Sequence, residues 1–217
     1  MKVIIFGATE FAKQMGYYLT HSDKYELAYF CVNKNYYTSK DILGKKVLVF
    51  EEELDHLSRE KYQFLIAVGY KQMRLRKKIF DMIKEKGFTL INYIHPTAIV
   101  MGNIKGEGNI ILSNVVIEPF AEVNHNNIIW SNALVCHDSQ IGDHNFIAAK
   151  SLIGGFSKVI DNNFIGFNSV IKENIVVDKE ILIGANSLVL KSPDNYSVNY
   201  GVPAVKIKEH IETGINL

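Results

Sequence analysis

The densest group of chemistry-bearing residues in the chain is Val135-Cys136-His137-Asp138-Ser139-Gln140-Ile141-Gly142-Asp143. An imidazole beside a carboxylate can handle a proton: the acid holds one ring nitrogen as N–H and stabilises the imidazolium, and the other nitrogen carries the lone pair. Neighbours on an extended strand point to opposite faces, so His137 and Asp138 meet only if the chain turns a corner between them. Otherwise His137 is an outward polar residue and Asp138 a solvated acid. Cys136 adjoins the histidine, but adjacent side chains rarely meet, and it reads as a small packed thiol. Ile153-Gly154-Gly155 lies eighteen residues beyond Val135-Cys136-His137, and a glycine pair allows close approach to the main chain. His144, between Asn126 and Asn162 at the same spacing, is expected to face solvent.

The elements that must position these residues are marked by a period of six. Every sixth residue from Ile111 to Val189 is Ile or Val; further back, Ile99 fits the series and Lys105 does not. Asn109, Asn127, Asn145 and Asn163 add a period of eighteen. Neither period is that of a helix or of simple strand alternation. Both fit short strands separated by corners, three to a coil, with the β-branched residues inward and residues eighteen apart stacked on one another. The stacked Asn residues are expected at a corner with unusual backbone angles, and Gly142, Gly154, Gly166 and Gly184 at corners as well. Phe146 belongs to a stacked series with Ile110, Ile128, Phe164 and Leu182 and reads as packing.

The first half reads as strands alternating with helices: strands at Lys2–Phe6, Leu27–Val32, Val47–Phe50, Gln63–Val68 and Thr89–Tyr93, a helix through Phe11, Met15 and Tyr18, and a helix from Lys71 to Lys86. The turn Gly7-Ala8-Thr9-Glu10-Phe11-Ala12 stands where a dinucleotide fingerprint would be, but carries only its first glycine. Glu10 places a negative charge where phosphate would lie, and Val32 is followed by Asn33 and Lys34 rather than an acid. A packing turn is therefore favoured over an NAD-type site.

At 217 residues, with 22% charged residues and a net charge of +1, the chain has no basic excess for nucleic acid or an anionic membrane surface. It shows no signal peptide or apolar span, so a cytoplasmic protein is expected. Cys31 and Cys136 are too few and isolated for a disulfide framework or a zinc site, and no metal is expected.

The [Ile/Val]-Gly-x4 hexads with Asn-rich corners resemble the hexapeptide-repeat acyltransferases. Ile94-His95-Pro96-Thr97-Ala98 before the hexads and Tyr200-Gly201-Val202-Pro203-Ala204 after them are similar to the bacterial sugar acyltransferases of that family, which act on nucleotide-linked 4-amino sugars and sialic acid. The resemblance implies a Rossmann-like α/β domain over residues 1–94, a left-handed parallel β-helix over 95–192 and a short C-terminal cap, helical or extended, over 193–217. It further implies a homotrimer with acetyl-CoA as acyl donor and coenzyme A as product. The segment His-[acidic]-x-x-Ile-Gly-[acidic] matches the family's catalytic histidine, which gives His137 the role of general base and Asp138 that of tuning it. The N-terminal unit of the family binds the nucleotide end of the substrate, here at Gly7, Thr9, Asn33 and Lys34. A main-chain N–H near Gly155 would meet the oxyanion, and Gly166, Gly184 and Ala185 would leave room for a pantetheine arm. Where the family often has a second histidine this chain has Phe146, which suggests a differently shaped acyl pocket. The expected function is N-acetylation of a nucleotide-linked amino sugar; a sugar O-acetyltransferase and a non-catalytic trimeric scaffold or sugar-binding protein are the alternatives.

Overall fold

The computed structural model describes residues 1–38, 40–69 and 71–217. They form two compact units, Met1–Gly69 with Lys78–Ile91, and Tyr70–Lys77 with Asn92–Leu217.

The first unit is built on strands β1 (Lys2–Phe6), β2 (Glu26–Val32), β3 (Val47–Val49) and β4 (Tyr62–Ile66), with helices α1 (Glu10–Thr20) and α2 (Phe50–Glu53) between them. The strands pair in parallel in the order β3-β2-β1-β4. Val3, Ile4 and Ile5 are all fully buried, as the continuous apolar run of a strand covered on both faces requires. Helix α1 turns Ala12, Met15 and Leu19 inward at helical spacing. The expected fifth strand at Thr89–Tyr93 does not form: Leu90 makes one isolated bridge to Phe64, whereas Tyr93–Ile94 pairs with Ile110–Ile111 in the second unit.

In the second unit the sixfold pattern becomes three parallel sheets wound into one coil. Strand partners lie eighteen residues apart, as in Leu134 with Leu152 and Ile141 with Val159. The Ile and Val residues from Ile111 to Val189 are at most 2% exposed and form a single core. Each contributes on the order of 1.5–3 kcal/mol by leaving water. The start of the coil departs from the expected register. Ile99 pairs with Val116 and is 54% exposed, while Val100 pairs with Ile117, so a one-residue shorter step puts Val100 in the inward place.

The corners lie one residue before the Asn series. Positive φ recurs at every sixth position from Gly108 and Asn114 to Asn186, including Asp138 at +58° and His144 at +61°. Asn109, Asn127, Asn145 and Asn163 are instead a buried amide ladder. Asn127 Nδ2 donates to Asn109 Oδ1 at 3.1 Å, and the pattern repeats upward through Asn163 and downward to Asn92. The glycines expected at corners are not left-handed either. Gly166, for example, is required because a Cβ would come within 2.6 Å of the Ala185 nitrogen in the next coil.

The C-terminal segment is extended rather than helical. Ser197–Tyr200 pairs in parallel with Leu182–Ile183, and Val205–Glu209 folds back antiparallel on it. The chain end then holds the start of helix α3 (Met73–Glu85), where Met73 N donates to Ile215 O and Leu217 N to Lys71 O. Among the described residues no helix is long and apolar enough to cross a membrane.

Candidate active site

His137 lies two residues past the strand Leu134–Val135, and Asp138 is the corner residue itself. The corner supplies what an extended strand cannot: with φ at +58°, a conformation tolerated by Asp and Asn, the carboxylate folds back on the preceding ring. His137 Nδ1 lies 3.0 Å from Asp138 Oδ2. In the tautomer with the proton on Nδ1, the imidazole donates to Asp138 and Nε2 keeps its lone pair.

The ring lies across Gly155, one coil further on. A Cβ at position 155 would be 3.0 Å from His137 Cε1 and 3.1 Å from Nε2, so only glycine leaves the ring in place and the Nε2 edge rests against the Gly155 main chain. No acceptor for the Gly155 N–H is found among the described residues. A free ring nitrogen and an open main-chain donor therefore adjoin at one corner, the pair of groups that proton removal and oxyanion stabilisation need.

Two neighbours of His137 were not singled out from the sequence. Phe156 sets its ring edge-on to the imidazole, with centroids 5.3 Å apart at 86°. It is 55% exposed at φ +60°, an unusual conformation for a bulky residue. Glu118 Oε2 accepts a hydrogen bond from the His137 main-chain N–H at 2.8 Å. Its place, one coil and one residue before His137, could have been read from the eighteen-residue period. Beside them, the Cys136 thiol is pushed up by burial and by Glu118, which disfavours a thiolate nucleophile.

His144 is not exposed as expected. It is 6% exposed, its Nδ1 lies 2.9 Å from Asn126 Nδ2, and its pKa is lowered to about 3 by burial, then by Arg76, Lys77 and His125. Arg76 is fully buried with no hydrogen-bond acceptor among the described residues. A neutral imidazole near the buried Arg76 guanidinium is a structural group.

Phe146 lies beyond the next corner, on a different sheet from Leu134–Val135. It is 1% exposed and stacked on Phe164 at 5.2 Å, so packing accounts for it. Gly166, Gly184 and Ala185 also lie away from His137 within one chain, ahead of the Asn168 and Asn186 corners. The space beside Gly184 is filled by the ring of Tyr200.

In the first unit Gly7 follows β1 at φ +133°, and a Cβ there would come within 2.7 Å of the Ala67 carbonyl oxygen. Thr9 is the N-cap residue of α1 and makes no side-chain cap. Asn33 and Lys34 are joined by an acid the sequence did not reveal. Glu51, just past β3, accepts from Asn33 Nδ2 and from the Lys34 main-chain N–H, both at 2.9 Å. Burial works to raise the Glu51 pKa, but these bonds and the nearby Lys34 charge bring it below its usual value. A carboxylate thus stands beside the end of β2 although the residues that follow β2 in sequence are not acidic.

Residues 2–83 match the family described as the PglD N-terminal domain. The whole chain is similar to PerB from Caulobacter crescentus, solved in complex with CoA and GDP-perosamine, at 24% identity and a TM-score of 0.85, covering 96% of this chain and 98% of that one. It is similar to the acetyltransferase domain of PglB from Neisseria gonorrhoeae at 20% identity and a TM-score of 0.84, covering 95% and 99%. WeeI from Acinetobacter baumannii aligns at 15% identity and a TM-score of 0.66, covering 95% and 100%. With the repeat geometry, these likenesses establish the fold: an α/β Rossmann-like N-terminal domain followed by a left-handed parallel β-helix of hexapeptide repeats and a short C-terminal cap.

Proposed function

We propose that the chain is an acetyl-CoA-dependent acyltransferase that acetylates the amino group of a nucleotide-linked amino sugar. The observation that carries this reading is the His137 corner, where an imidazole held by Asp138 rests against a glycine with an open N–H. Its support from likeness is PerB, whose structure holds CoA and GDP-perosamine, and PglB, named as an acetyltransferase.

In the mechanism, the acceptor reacts as the neutral amine. Its nitrogen attacks the thioester carbonyl, His137 Nε2 takes the proton that the nitrogen sheds, and the Gly155 N–H donates to the carbonyl oxygen as charge develops there. Collapse breaks the C–S bond, and the imidazolium returns the proton to the departing thiolate. Amide and free thiol result. Asp138 holds the tautomer and stabilises the imidazolium between the two transfers.

Positions 137, 155, 173 and 191 stack at the eighteen-residue spacing, about 4.8 Å per coil, so an extended arm starting at His137 would reach Lys191 after about 14 Å. Lys191 lines an open hollow of about 190 Å³ at the end of the coil, a place for the phosphate end of coenzyme A. The domains divide the work: residues 1–94 hold the nucleotide around Gly7, Thr9, Asn33 and Lys34, residues 95–192 carry the chemistry, and 193–217 cap the coil. Assembly as a homotrimer would bring the Gly166, Gly184 and Ala185 corner of one copy toward His137 of the next and complete the acyl-donor groove. The enzyme would work in the cytoplasm, where both substrates are made, in the building of a surface polysaccharide.

The direct test is thiol release from acetyl-CoA with a panel of nucleotide-linked 4-amino sugars and, in parallel, sialic acid. Transfer to an amino sugar with an amide in the product supports the reading. Transfer to sialic acid alone would make it an O-acetyltransferase, and no transfer with no binding of either substrate by calorimetry would leave a scaffold.

A further inference from the structure

On this edge the place before the corner is taken by Pro119, which has no main-chain N–H, and then by His137, Gly155 and Glu173, whose N–H groups the strand ladder does not use. Cys136 N donates to Ile153 O and Asp138 N to Pro119 O, and the His137 N–H between them points elsewhere. It meets Glu118 Oε2 at 2.8 Å. One coil on, Gly155 repeats the position of His137, and the residue that would repeat Glu118 is Cys136. The Gly155 N–H accordingly finds no acceptor among the described residues. Of the two stacked outward amides, the acid occupies one and leaves the other open. Glu118 itself is half-buried, and its other oxygen, Oε1, makes no ion pair or hydrogen bond among the described residues.

We propose that Glu118 is a positioning residue for the general base: its carboxylate fixes the His137 main chain so that the imidazole lies over Gly155, and it blocks the His137 N–H as a rival donor to the oxyanion. This rests on the acyl-transfer reading above. On its carbonyl side the His137 main chain is held by the Phe156 N–H at 3.2 Å; the bond to Glu118 holds its amide side as well. Placement errors of about 1 Å at a reacting group can cost about 100-fold in rate, so the effect should appear in kcat rather than in donor binding.

The test compares Glu118→Gln, which keeps an oxygen acceptor for the His137 N–H, with Glu118→Ala, which removes it. Acetyl transfer is measured with GDP-perosamine as the acceptor probe, and amide hydrogen exchange at His137 and Gly155 is followed without substrate. Expected is a kcat within about threefold of the parent for the Gln variant and about 10- to 100-fold lower for the Ala variant, with the KM for acetyl-CoA within about twofold in both. Exchange at His137 should quicken about tenfold or more in the Ala variant only, with Gly155 unchanged. An unchanged kcat in the Ala variant, or equal losses in both variants, would overturn positioning, and so would unaltered His137 exchange in the Ala variant. If the parent protein transfers no acetyl group to this probe or to any of the amino sugars and sialic acid in the panel above, the acyl-transfer reading falls, while exchange still decides whether Glu118 holds the His137 main chain.

Discussion

Two histidines seven residues apart occupy successive corners of the same coil, and their surroundings give them opposite chemistry. His137 stands one residue before its corner, with a side chain 53% exposed, a carboxylate at 3.0 Å and a glycine beneath the ring. His144 is the corner residue, 6% exposed, with its pKa lowered to about 3 by burial and the cations Arg76 and Lys77. One offers a lone pair at a surface where a substrate can arrive; the other is held neutral inside the protein. The repeat places both on the same scaffold, and phase alone does not separate them, because Phe156 occupies the same corner position as His144 and is 55% exposed.

Beside the loss of His137 itself, Gly155→Ala should separate the two corners strongly. The new methyl would sit 3.0 Å from His137 Cε1, and because the histidine is exposed the ring can swing away rather than the coil deform. The expected outcome is a kcat about 100-fold lower with a melting temperature close to the parent's. A large drop in melting temperature with normal turnover of the folded fraction would show that Gly155 serves packing alone.

A smaller effect concerns the other histidine. Its folded pKa lies below the value in an unfolded chain, so as pH falls below about 6.5 the unfolded state gains the proton first and stability declines until the folded pKa is reached. At about 1.4 kcal/mol per pH unit, His144 should account for about 2 kcal/mol of loss between pH 6.5 and 5. His144→Asn, which matches Asn126 and Asn162 in the same stack and suits the +61° φ, should flatten that part of the profile. Denaturant midpoints across this pH range measure it, and an unchanged slope would show that His144 is not the titrating group. Its kcat should remain near the parent's.

Much of the second unit was legible because its period is so strict. The inward Ile and Val residues, the eighteen-residue stacking and the vertical neighbourhood of His137 and Gly155 all follow from counting. Counting failed where the period slips or where two roles share one residue type. Ile99 fits the series in sequence, yet the shorter first coil gives its place to Val100. Asn109 and Asn127 looked like corner residues, but the left-handed positions lie one residue earlier and the amides form the buried ladder. The repeat also carries no information about residues brought near from far away in sequence: the charges that act on the buried His144 include Arg76 and Lys77, sixty-eight and sixty-seven residues earlier. In the first unit the acid beside Asn33 was invisible for the same reason: Glu51 reaches it from the end of the neighbouring strand.

His137, and not its neighbour His144, should be the general base. The most direct measurement is thiol release by His137→Ala and His144→Asn alongside the parent, at saturating acetyl-CoA and amino-sugar acceptor. A general base contributes roughly 10²- to 10⁴-fold, so the His137 variant should lose that much in kcat while the His144 variant stays within a few fold. A His137→Ala protein that keeps parental turnover would show that His137 is not the base.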